Sequence, residues 1–162
     1  MKCSIGSVTN RTKVLLLPVA LLLAGLLLLS SPAKSQPERT LFDRLGGVYP
    51  IALTVNDLVD RLYINKTLNA NPRIKKVHES IGSRESAKVA LTAWAVQYTG
   101  GPVLFPVQIG EVDDALKITD GEFDVILDEC AVSFNNAKFP QREVGELLKL
   151  VEGFRSQVVI QG

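Results

Sequence analysis

Thr40-Leu41-Phe42-Asp43-Arg44-Leu45-Gly46-Gly47 is the stretch on which the reading of this chain turns. Thr40 carries a side-chain oxygen suited to capping a helix, and Asp43 places a negative charge in the first turn, where it favours the helix dipole. Gly46-Gly47 then ends the helix at about Leu45, because glycine takes the positive backbone angles that a sharp reversal requires.

Working downstream, Ile51, Val55, Leu58 and Leu62 recur at spacings of four, three and four, one face of a helix from Pro50 to about Ile64. Residues 65–83 are rich in Asn, Lys, Pro and Ser and read as a corner or short turns. A third helix runs from about Arg84 to Tyr98, with Ala87, Ala90, Leu91, Trp94 and Tyr98 on one face, and Gly100-Gly101-Pro102 stops it. Residues 102–110 lack a helical period and make an irregular crossing, followed by a short helical piece over about 111–116. Thr119-Asp120-Gly121-Glu122 is a capping box for a helix carrying Phe123, Ile126, Leu127, Cys130 and Phe134 on one face. Pro140 opens the last helix, whose stripe is Val144, Leu147, Leu148, Val151 and Phe154. The period-two alternation of half-buried strands is hardly present, so the fold class is all-α. Asn65-Lys66-Thr67 also fits a glycosylation acceptor.

Upstream, Val14 to Leu29 is an uncharged run of sixteen residues, preceded by Lys2, Arg11 and Lys13 and followed by Ala33-Lys34-Ser35 before Gln36. That order of basic start, apolar middle and small residues is the layout of a secretory signal, and the run is shorter than the roughly 20 residues of a membrane span. The expected organisation is a signal peptide over residues 1–35, or an uncleaved anchor that would tie the protein to the membrane, and one domain over residues 36–162. The domain would then be exported, periplasmic or secreted.

Composition, 46% apolar and 22% charged, is that of a globular chain. Taking Lys2, Arg11, Lys13 and Lys34 from the 18 basic residues leaves 14 against 17 acidic ones. A mildly acidic domain without clustered Lys and Arg argues against nucleic acid or an anionic membrane surface as partner. Cys3 leaves with the signal, and Cys130 alone cannot form an intramolecular disulfide.

The opening octapeptide, the second glycine pair Gly100-Gly101 and the linker Leu116-Lys117-Ile118-Thr119-Asp120 before Phe123 together resemble the group 1 truncated haemoglobins. The resemblance spans about residues 40–158. It implies a two-on-two helical sandwich and, as the family role, haem-mediated binding of oxygen or another diatomic gas.

The same resemblance places the haem pocket on Val59, Val77, His78, Ser83, Ser86, Ala87, Phe105, Asp113 and Leu116. Asp113 stands where the family has its proximal histidine, Val59 where it has its distal tyrosine, and Val77-His78 where a pair of phenylalanines wedges the haem. A carboxylate serves ferrous haem poorly, and burying Asp113 against a porphyrin would cost several kcal/mol unless it were paired or protonated. Ser83 and Ser86 keep hydroxyls on the distal side, and Phe105 takes the place of a tyrosine along the pocket. His78 is the sole histidine and a candidate for an unusual iron ligand, an unrecognised ligand being the other possibility.

No other constellation supplies chemistry. One histidine and a cysteine on an apolar helix face exclude the usual Cys-His nucleophile and His-rich or Cys-rich metal sites. Asp113 and Asp114 point about 100° apart on a helix and cannot act as one acid-base pair. The glycine pairs lack the Lys and Ser/Thr of phosphate loops. The expectation is a haem-free binding or sensing module, not an enzyme, whose pocket holds a small apolar ligand or is closed. The alternatives are a haem protein binding oxygen or nitric oxide through His78, and a structural envelope partner pairing through apolar residues on Leu147 to Val158. Nitric-oxide dioxygenase activity is disfavoured without the distal tyrosine.

Overall fold

Helix start signals set the boundaries of this structure, a computed structural model that describes residues 38–106 and 118–160. The segment read as an export signal and the piece over 111–116, with Asp113 and Leu116, lie outside the described residues. All the described helices belong to one unit that begins at Arg39. They are α1 (Leu41–Arg44), α2 (Val48–Ile64), α3 (Lys66–Asn69), α4 (Pro72–His78), α5 (Ser83–Tyr98), α6 (Asp120–Asn136), α7 (Gln141–Glu152) and α8 (Arg155–Val158).

The Thr40 hydroxyl accepts from the backbone N–H of Asp43 and donates to its carboxylate at 2.8 Å. Leu45 is the C-cap, and Gly46 and Gly47 follow at φ +92° and +87°, angles that would strain any residue with a Cβ. Phe42 donates its N–H to the Thr99 carbonyl at 2.8 Å, which ties α1 to the end of α5. There the second glycine pair is explained: Gly100 has φ +91°, and a Cβ on Gly101 would stand 2.5 Å from the Phe42 ring. The two glycine pairs are thus one packing device in which Phe42 lies against bare backbone.

α2 packs on both α5 and α6, and α6 packs on α7, so one helix pair lies over another. Leu45, Ile51, Val55, Val59, Val96 and Phe134 are buried between them, each large apolar side chain contributing roughly 1.5–3 kcal/mol. α1 reaches α7 through Arg44, whose Nε donates to Glu143 at 2.9 Å while its other nitrogens bind Glu146 and the Arg39 carbonyl.

The corner expected over residues 65–83 is helical in two short pieces. Asn65 caps α3 by accepting from Thr67 and Leu68, and Asn71 caps α4, with Pro72 at its first position. Leu68, 2% exposed, anchors the corner. Asn65 and Arg61 both donate to Glu129, at 2.8 and 2.7 Å, and Asn71 donates to Glu122 at 2.8 Å. The Asn65 amide nitrogen, where a glycan would attach, is committed to that network.

The capping box of α6 is complete: Thr119 accepts from Glu122 N–H and the Glu122 carboxylate accepts from Thr119 N–H at 2.8 Å. Burial opposes the charge on Glu122, but the Thr119 N–H and the Asn71 amide hold its carboxyl below the usual range. α7 stops at Glu152, before the Phe154 of the expected stripe, and residues 155–158 form the separate α8. The stripe Val144, Leu147 and Val151 turns inward onto the core, and Phe154 and Val158 turn onto a cavity. Beyond α8, Ile118 donates to the Val158 carbonyl and accepts from Ile160, a one-residue parallel bridge that pins the C-terminal residues beside the start of α6.

Candidate functional site

The 3.6-residue period puts Leu58 and Leu62 of α2 one turn apart on the same side, facing Leu91 and Trp94 of α5. With Ile118, with Phe123, Ile126 and Cys130 of α6, and with Val151, Phe154 and Val158, they line a half-open cavity of about 320 Å³. A smaller void of about 60 Å³ shares Leu58, Leu91, Trp94, Cys130 and Val151 with it. The only hydroxyls on the smaller void, Thr54 and Thr99, donate to their own helices at Pro50 O and Ala95 O, at 2.8 and 2.6 Å.

Among the described residues, the side chains lining the larger cavity are hydrocarbon apart from Trp94 and Cys130. Burial, reinforced by the nearby Glu129 charge, pushes the Cys130 thiol up to about 12, so it is protonated at neutral pH. Trp94 is 8% exposed, stacked on Tyr98 and edge-on to Phe154, each at 5.1 Å between centroids. Its Nε1 is buried and has no hydrogen-bond partner.

Beside the cavity Arg155 lies over the Phe123 ring at 4.4 Å and binds Glu152, Asp124 and Asp120 at 2.6, 2.7 and 2.9 Å. Those carboxylates hold its guanidinium above its ordinary range. Three acids answer one base, so this rim is net negative.

Seven of the positions expected by resemblance to form a pocket lie among the described residues. Val59 is fully buried in the main core, one residue past Leu58, and Ala87 packs against that core. Val77 is exposed on α4. His78, also on α4, stacks on Tyr63 at 4.1 Å, and its Nδ1 donates to the Asn69 amide oxygen at 2.8 Å. Burial, with the Arg84 charge adding to it, lowers its pKa below the usual imidazole range. Ser83 opens α5 with a buried, unpartnered hydroxyl. Ser86 and Phe105 come together in a shallow hollow on the outside of α5, with Glu85, Val89 and Ala90. None of these residues lines the cavity of about 320 Å³. Apart from Ile118 of the linker and Val158, the residues that line it were legible as apolar helix faces, but nothing local distinguishes a cavity wall from filled core. Among the described residues no cluster of His, Cys, Asp and Glu could hold a metal ion, and no helix is long and apolar enough to cross a membrane.

No family profile matches the sequence, and no curated protein matches it. Solved structures do. A truncated hemoglobin from Tetrahymena pyriformis, in the Fe(III) form of two variants, superposes with TM-scores of 0.61 and 0.60. A hemoglobin from the thermophilic phototrophic bacterium Chloroflexus aurantiacus superposes with a TM-score of 0.62. Each is 18% identical and is matched over 100% of its length and 76% of this chain. The fold is therefore that of the truncated globins, as the glycine pairs imply.

Proposed function

We propose that this protein is a haem-free binding module on a truncated-globin frame, whose cavity between α2, α5 and α6 takes a small apolar ligand. The observation that carries this reading is the lining of that cavity: about 320 Å³ of space whose described side chains are hydrocarbon apart from Trp94 and the protonated Cys130 thiol. Haem does not fit this donor set. An iron ligand needs a lone pair directed at the metal. The indole N–H is a donor only, the thiol is not ionised, and His78 is spent on Tyr63 and Asn69 outside the cavity. A haem also brings two carboxylates, and the rim at Asp120, Asp124 and Glu152 would repel them. Export through the N-terminal segment is part of the proposal and rests on the sequence alone.

A haemin titration of the purified protein tests it, read by absorption in the oxidised, reduced and carbon-monoxide-treated states. The expected result is a broad spectrum that does not saturate. A sharp, saturable Soret band that moves with carbon monoxide would overturn the reading, and its loss in His78→Ala would then locate the ligand.

A further inference from the structure

Most of the cavity wall belongs to α2, α5 and α6, helices of 16 or 17 residues that pack on one another. The remaining side is built differently. α7 ends at Glu152, the chain bends through Gly153 and Phe154, and the single turn of α8 follows. Phe154 and Val158 of this C-terminal strap border the cavity.

Among the described residues, the strap's polar ties to the elements beyond α7 go to two places. The Arg155 guanidinium binds Asp124 and Asp120 of α6 at 2.7 and 2.9 Å and lies over the ring of Phe123, itself a cavity residue. The backbone of Val158 and Ile160 engages Ile118 alone, at 3.0 and 2.9 Å. Asp120 and Asp124 are 74% and 65% exposed, so both ion pairs face water, where each is weak and screened by salt. A short segment held by exposed pairs and a one-residue bridge opens locally at a smaller cost than the packed helices beside it.

We infer that the C-terminal strap, residues 153–160, is the movable wall of the cavity and that Arg155 is its latch. This rests on the reading of the cavity as a ligand site. While Arg155 holds Asp120 and Asp124, the strap keeps Phe154 and Val158 against the ligand. When salt screens those pairs the strap lifts and the ligand leaves. Ionic strength therefore governs the release of an uncharged ligand, although apolar contacts by themselves give salt no reason to speed it.

The probe is α-fluoronaphthalene, a neutral molecule of two fused rings. An apolar cavity of about 150 Å³ takes one benzene, and this one measures about 320 Å³. Its release from full-length protein is read by fluorine exchange NMR at about 0.05 and about 0.5 M sodium chloride, on either side of strong screening. Amide hydrogen exchange at Ile118 and Ile160, the two donors of the bridge, reports the strap without any ligand. At low salt, Arg155→Gln should speed both release and the exchange of those two amides about tenfold, as loss of two exposed pairs gives. The fully buried Val96 should keep its exchange rate. Salt should speed release from the native protein and leave the variant unchanged. Binding with the same release rate and amide exchange in both proteins overturns the latch and leaves the cavity reading standing. Faster amide exchange without faster release also overturns the inference, since the strap then does not hold the ligand. Failure of α-fluoronaphthalene to bind overturns the cavity reading and this inference with it. Should Arg155→Gln fail to fold, the salt dependence of release from the native protein decides alone.

Discussion

Phe42 and Gly101 are in such close register that a Cβ on Gly101 would stand 2.5 Å from Phe42 Cδ2. The contact joins two glycine pairs more than fifty residues apart in the sequence, so a first helix of one turn holds its place by lying flat against the end of α5. Gly101→Ala should therefore destabilise the protein by roughly 1–3 kcal/mol through overpacking. Combining it with Phe42→Ala should cost less than the sum of the two single changes, because the clash disappears with the ring. Urea unfolding of the three variants gives the coupling; strict additivity would mean that the ring and Gly101 do not touch.

Glu143 is 6% exposed, yet carries a carboxylate. Arg44 compensates it across ninety-nine residues of sequence at 2.9 Å. Removing the arginine leaves a buried charge with its partner gone, the arrangement in which ion pairs matter most. Arg44→Ala should lower the melting temperature clearly more than Arg142→Ala, which removes an exposed pair with Glu146 four residues away on the same helix. Equal losses would show that water reaches Glu143 freely.

His78 links stability to pH. Its folded pKa lies below that of the unfolded chain, chiefly because it is buried against Tyr63 and secondarily because of Arg84. The unfolded chain therefore takes up the proton first. As pH falls below the unfolded imidazole value of about 6.5, stability declines, and it levels off once the pH passes below the folded value. Melting temperatures should fall between about pH 7.5 and about pH 5.5, and His78→Asn should remove that part of the slope. An unchanged slope in the variant would assign the dependence to other groups.

Cys130 should be chemically silent in the native state. Its side chain is 2% exposed and its thiol is pushed up to about 12, so both access and thiolate are lacking. In a Cys3→Ser background, a thiol-reactive disulfide reagent at neutral pH should label Cys130 only after denaturant is added. Rapid labelling of folded protein would mean that the cavity wall opens.

Several features were legible from Thr40, Gly46-Gly47, the Thr119 and Glu122 box and the periodic apolar faces, because each is settled within a few residues. A cap satisfies N–H groups two or three positions on, a glycine licenses a backbone angle in place, and a helix face repeats every three or four residues. Those local rules yield the helices, and with the spacing of the glycine pairs they yield the fold. They do not yield the corner over residues 65–83. Its two short helices are held by Leu68 and by Asn65 and Asn71 reaching across to Glu129 and Glu122, partners that no local pattern announces.

The site shows the same division. That Val59 and Val77 stand where the resembled family has a tyrosine and a phenylalanine is a reading of sequence alone. That His78 is stacked on Tyr63, that Phe105 faces outward beside Ser86, and that Leu62, Trp94 and Phe154 border one space are decided only by tertiary packing. Side-chain chemistry belongs to the residue, whereas burial, partners and empty volume belong to pairs of residues far apart in the chain, and only folding brings those pairs together.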